Sequence, residues 1–232
     1  MTTIRQKLAF FMIATVLLAS VLLPVAPTCA GGLLATGQTT AYQAHKHTSL
    51  GPTKVPDDGT LQRGVVLRYK VLQDGTIKDL TTGLIWEVKC VRCQGLHNVD
   101  NLYYWSGNGS MDTIWDWLDD INAEGGTGYA GHHDWRIPNL QELESIVDYG
   151  RHHPAIDPIF GPTSETDHWS STSYVYDLLH PDPLFGGRAW FVDFGEGLDG
   201  VWEKSWVPYP RVVRAVRGGP AKLKLPKVPL LN

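Results

Sequence analysis

Asp134-Trp135-Arg136-Ile137-Pro138-Asn139-Leu140-Gln141-Glu142-Leu143 is the stretch whose reading decides the fold. Pro138 fixes its own backbone angle and biases Ile137 towards an extended conformation, so a strand ends here. Asn139 is a good N-cap, and Glu142 sits three residues later to reach back, which makes a capping box. Leu140, Leu143, Ile146 and Val147 then recur at helical spacing and predict an apolar helix face. Trp135 and Arg136 fall at the hinge between strand and helix. One reading makes them a structural corner, with Trp135 filling the core and Arg136 tying loop carbonyls together. The other makes the corner a ligand site.

Outward from this corner, short strand signals alternate with turn residues. Val65–Val71, Ile77–Leu80 and Leu84–Val88 precede it, separated by Gln73-Asp74-Gly75-Thr76 and Thr82-Gly83. Met111–Ala123 predicts a first helix with Ile114, Trp115, Leu118 and Ile121 as its apolar stripe and Asp112, Asp116, Asp119 and Asp120 on the wet side. Beyond the second helix come Trp169–Tyr174, Arg188–Phe194, Val201–Val207 and Arg211–Arg217. Two helices among hairpin-connected strands give an α+β class with an antiparallel sheet.

The ends of the chain differ in composition from its middle. Residues 1–30 combine Arg5 and Lys7, an apolar run from Leu8 to Val25, and the small residues Thr28-Cys29-Ala30. This is a secretory signal pattern, and the chain touches a membrane only if that segment stays uncleaved. Residues 31–63 read as a flexible linker or loosely pinned arm, 64–218 as the folded domain, and 219–232 as a Pro- and Lys-spaced tail. Without residues 1–30 the chain carries 18 Lys plus Arg against 24 Asp plus Glu, a net of −6. That balance excludes a global attraction to nucleic acid. The expected location is extracytoplasmic: periplasmic, surface-attached or secreted.

These landmarks, in this order, carry a resemblance. Asp79-Leu80-Thr81-Thr82-Gly83-Leu84-Ile85-Trp86 comes first, then a Trp-bearing helix and the Asp134–Leu143 corner. Trp169-Ser170-Ser171-Thr172, Ala189-Trp190-Phe191-Val192-Asp193-Phe194 and Val213-Arg214-Ala215-Val216-Arg217-Gly218 follow. Together they resemble the bacterial domain family named after the C-terminal domain of the Legionella collagen-like protein, over about residues 74–218. The resemblance implies an exported or surface-attached domain with two helices packed on curved antiparallel β-sheets, a C-type-lectin-like architecture. The family's namesake is an adhesin that engages sulfated glycans. Relatives often pair a Cys in the first helix with one in the final strand; here the helix has none and position 215 is Ala. The acidic balance, and the alternation that separates Arg211, Arg214 and Arg217, argue against sulfated-glycan chemistry in this chain.

Cys90-Val91-Arg92-Cys93 lies in a segment, Cys90–Ser110, that looks inserted. A small structural disulfide, a redox pair and a zinc half-site are its three readings. His132-His133, His152-His153 and His168 stand near Asp134, Asp157 and Asp167, a pattern compatible with a metal, although adjacent side chains diverge. No cofactor or metal is assigned. Trp86, Trp135 and Trp190 are expected in the core, with Arg136, Asn139 and Glu142 as supports. Trp105, Trp169, Tyr174 and Tyr176 are expected on loops, where aromatic faces beside polar groups suit a sugar ring, with Asp134 or the histidines adding polar contacts. Asp193, Glu196 and Asp199 cluster at a turn and read as turn formers. Motifs for nucleophilic, phosphate or zinc-hydrolase chemistry are missing from the sequence. The expectation is a non-enzymatic module that binds a glycan or an envelope or surface protein. A structural assembly role is the alternative, and a hydrolase a third.

Overall fold

The computed structural model describes residues 32–45, 48–52, 56–107, 111–175, 187–205 and 209–219. Residues 1–31, expected to hold a secretory signal, the residues beyond Gly219, Tyr176 and Trp206 lie outside the described residues. Strands β1 (Tyr42–His45) and β2 (Thr48–Pro52) form an antiparallel pair, and a short helix α1 follows at Asp58–Leu61. Strands β3 (Tyr69–Val71), β4 (Ile77–Asp79) and β5 (Leu84–Trp86), with β9 (Val216–Gly218), make a four-stranded antiparallel sheet in the order β3-β4-β5-β9. Strands β6 (Asp167–Ser173), β7 (Arg188–Asp193) and β8 (Leu198–Glu203) make a three-stranded antiparallel sheet in sequence order. Helices α2 (Ile114–Ala123) and α3 (Leu140–Glu144) lie between β5 and β6 in the chain. The architecture is α+β with antiparallel sheets. Among the described residues no helix is long and apolar enough to cross a membrane.

The last segment joins the two sheets. Val212 pairs with His168 of β6, and four residues later Val216 pairs with Trp86 of β5. Arg136 adds an antiparallel bridge to Val216, so the corner before α3 is fastened to β9 through both backbone groups, each hydrogen bond 2.9 Å long. The other side of the corner is tied to β6: Ser171 N donates to Pro138 O and Leu140 N to Thr172 Oγ1.

One hydrophobic cluster gathers Ile77, Trp86, Leu143, Ile156, Phe160, Val192 and Phe194 between α3 and the two sheets. A second gathers Ile114, Trp117, Ile121, Trp135, Ile137, Trp169 and Val213 under α2. Helix α3 is shorter than its apolar pattern: it ends at Glu144, and Ile146 and Val147 are buried from the turn that follows. In α2 the inward residue is Trp117, not Trp115, which is 37% exposed. The residues before β3 lie along the domain: Leu34 bridges Val65, Tyr149 N donates to Thr36 O, and Gly59 backs onto Thr40 so closely that a Cβ has no room.

Candidate functional site

At the corner, Glu142 organises the local charges. Its Oε2 accepts from Asn139 N at 2.9 Å while Asn139 Oδ1 accepts from Glu142 N at 2.9 Å, closing the capping box. Arg136 reaches the same carboxylate with both terminal nitrogens and also donates to Gly218 O at 3.2 Å. Trp135 is buried and donates from Nε1 to Tyr129 O. Asp134 is held by Arg217, Nε to Oδ1 at 2.7 Å, and this hydrogen bond keeps its carboxyl below the usual range. The ion pair ties Asp134 to Arg217 of β9, with the Asp134 side chain still largely exposed. The three arginines of the last segment go to three destinations: Arg217 to Asp134, Arg211 to Asp167, and Arg214 into the interior.

The aromatic candidates separate. Trp169 is 1% exposed, inside β6, with Nε1 donating to Tyr103 O. It belongs to the core and not to a loop, because β6 is covered on that side by α2 and by the 101–105 segment. Trp86 is fully buried, whereas Trp190, expected inside, is half-buried and meets Tyr174 edge-on at 5.7 Å. Trp105 is half-buried and donates from Nε1 to Ser170 O.

Trp105 and Tyr174 nevertheless reach the same end of the three-stranded sheet. Trp105 N and Ser106 N both donate to Lys204 O, and Lys204 N donates to Gly187 O. Lys204 Nζ lies 4.0 Å over the Trp105 ring and donates to Ser173 Oγ at 2.7 Å, next to Tyr174. Arg188 stands 4.9 Å from the Tyr174 ring, and Trp115 packs edge-on to Trp105 at 5.0 Å. The result is two groups at one sheet end, Trp115–Trp105–Lys204 on one face and Tyr174–Arg188 with Trp190 on the other, since neighbouring strand residues such as Ser173 and Tyr174 alternate faces; Trp115 is the most exposed tryptophan among them. Such cation–ring contacts fix aromatic planes in place. Trp115, Lys204 and Ser173 were not among the sequence candidates. The apolar stripe expected for α2 takes in Trp115 rather than Trp117, which hides its exposure, and nothing local marks Lys204.

The histidines and the concave surface lie elsewhere. A cleft of about 560 Å³ is lined by Arg151, His152, His153, Pro154, Pro158 and Pro162, among others. Its charged groups already have partners, Arg151 with Asp148 and His153 with Glu165. His168 is buried, its Nδ1 2.9 Å from Thr166 O. Among the described residues no group of three or more His, Cys, Asp or Glu is placed to hold a metal ion.

Cys90 and Cys93 form a disulfide at the start of the segment that follows β5 and Lys89. Cys90 N donates to His97 O and Val99 N to Cys90 O, so the segment folds back on its own first residue. Beside it lies a buried polar group that sequence reasoning missed. Glu87, fully buried, takes Lys89 Nζ at 2.8 Å and the Ala215 amide at 2.8 Å. Burial alone raises the Glu87 carboxyl, but Lys89 and His97 outweigh it and hold it below its usual range. The available signal is parity: Glu87 and Lys89, two apart in an extended run, must share a face.

The fold and the site define an antiparallel α+β module whose corner is held by the Arg136–Glu142 ion pair over a buried Trp135 and whose three-stranded sheet carries rings and cations at one end. The chain belongs to the family of the Lcl C-terminal domain, whose sequence pattern matches residues 75–217. No curated protein and no solved structure matches it.

Proposed function

We propose that this chain is a non-catalytic, extracytoplasmic binding module of the adhesion type, with a C-type-lectin-like arrangement of two helices on curved antiparallel sheets. Family membership supports the class, and a disulfide of the kind that persists in oxidising compartments supports the location. One observation carries the reading: Lys204 lies over the Trp105 ring and is tied to Ser173 at one sheet end, with Trp115 exposed beside Trp105. Rings held by cations are pre-ordered, so a ligand that stacks on them meets little conformational cost. A glycan fits this chemistry, its apolar ring face against Trp115 and its hydroxyls towards the neighbouring polar groups.

The test is tryptophan fluorescence titrated with a panel of bacterial and host polysaccharides. Saturable binding that is lost in Trp115→Ala, with an unchanged circular dichroism spectrum, is the expected result. An absence of saturation across the panel, or binding indifferent to Trp115→Ala, overturns it. Light scattering of the same samples serves the assembly alternative, which requires a stable oligomer that hides Trp115.

A further inference from the structure

His97 is the pivot of the segment that follows β5 and Lys89. Its Nδ1 lies 2.7 Å from Glu87 Oε1 and its Nε2 3.0 Å from Glu124 Oε2. Its ring stacks on Tyr129 with centroids 4.1 Å apart. Three parts of the domain thus face it: Glu87 and Lys89 from the chain after β5, Glu124 from the end of α2, and Tyr129 from the turn beyond. Lys89 Nζ shares Glu87 Oε1 with it, and Arg214 donates to the Glu87 main-chain oxygen. Next to it in sequence, Leu96 O accepts from the buried Trp117 indole.

Ionised carboxylates only accept hydrogen bonds, and a neutral imidazole carries one N–H. Both nitrogens of His97 face carboxylate oxygens, so both contacts are made only when the ring is an imidazolium. Loss of one proton leaves a nitrogen lone pair against Glu87 or Glu124. We infer that His97 is a proton-operated clasp. As imidazolium it fastens the disulfide-bearing segment to β5 and α2, and on deprotonation it lets that segment loosen, together with Trp105 which the segment carries.

The direction of the titration agrees with this geometry. Burial by itself lowers the imidazole pKa, but hydrogen bonds and charge from Glu87, then from Glu124, outweigh it and leave His97 above its ordinary value. A raised folded pKa contributes stability that is fully present below about pH 6.5 and is lost as pH rises through the raised value. The clasp is therefore closed in mild acid and opens on the alkaline side.

The effect on Trp105 matters only if the proposed ligand site is real, but the clasp itself is measured without a ligand. NMR titration of the full chain is expected to show His97 with both ring nitrogens protonated and a pKa above 6.5. Hydrogen exchange supplies the second reading. After correction for intrinsic rates, protection of the Cys90 and Val99 amides is expected to fall with rising pH relative to the amides of β4 and β5. The fall should approach tenfold for each unit by which folded His97 exceeds 6.5. His97→Gln should flatten the dependence. Should that variant fail to fold, Glu124→Gln, at a 40% exposed side chain, should lower the His97 pKa with the fold intact. A His97 pKa at or below 6.5, or a protection ratio indifferent to pH, overturns the inference. Failed polysaccharide binding beside a positive exchange result overturns only the ligand site.

Discussion

Arg136 and Glu142 meet as a two-pronged ion pair, Nη1 to Oε2 at 2.6 Å and Nη2 to Oε1 at 2.7 Å, while Oε2 also accepts the Asn139 amide. One carboxylate thereby caps α3 and, through Arg136, joins it to β9. Removing the cap alone and removing the shared carboxylate should differ. Asn139→Ala is expected to cost about 1 kcal/mol. Glu142→Ala should cost about 2 kcal/mol, because it also releases a half-buried guanidinium. Urea unfolding of the two variants measures both, and equal losses would separate the cap from the ion pair.

The tryptophans should divide by burial. Trp169→Ala removes a wholly buried indole and the donor to Tyr103 O, a loss of about 3–5 kcal/mol. Trp115→Ala, at an exposed ring, should stay within about 1 kcal/mol of the parent. The same denaturation series checks both values, and a cheap Trp169→Ala would remove that residue from the core.

Arg214 is the buried fastener behind the 158–163 loop. Nη1 donates to Glu87 O at 2.8 Å and Phe160 O at 3.3 Å, and Nη2 to Pro162 O at 3.2 Å and Thr163 Oγ1 at 2.8 Å. Lysine keeps the charge and loses the fork, so Arg214→Lys is expected to destabilise by about 3 kcal/mol. Thermal unfolding monitored by near-ultraviolet circular dichroism is the direct check.

Acid sensitivity should come from His168. Burial first, then the nearby Arg214 charge, pushes its pKa down to about 3. The folded ring stays neutral while the unfolded one protonates below about pH 6.5, so the unfolded chain binds the extra proton. Stability should fall by about 1.4 kcal/mol for each pH unit between those two values. His168→Gln should flatten that slope in unfolding curves recorded from pH 7 to pH 4; an unchanged slope would assign the acid sensitivity to other groups.

What is local was legible. The Asn139–Glu142 box depends on three residues of spacing and a proline before it, and short strands bounded by Gly and Asp turns gave the antiparallel α+β class. Cys90 and Cys93, three residues apart, close a bridge whose partner choice needs no long-range knowledge. The strand boundaries moved where pairing ended: the Val65–Val71 run forms a strand only at Tyr69–Val71, the residues opposite β4.

Which rings face inward was not legible, because facing is set by what lies across the interface. On α2, Trp115 was expected in the stripe of Ile114 and Ile121, and Trp117 takes that place. The segment after β5 decides between them, presenting Leu96 O to the Trp117 indole. Trp169 looked like a loop ring until β6 was covered by a segment 66 residues earlier in the chain. Glu87, Lys89 and His97 formed no motif, since His97 reaches Glu87 only after the segment from Cys90 folds back on itself.

The sequence alone determined the elements, the corner and the family, since capping, turn chemistry and strand alternation act over a few residues. The tertiary structure decided which aromatics became core, which reached the sheet end, and where the charges found partners. Burial and ion pairing depend on distance in space, and folding brings Arg136 to Gly218 and Glu87 to Ala215 across most of the domain.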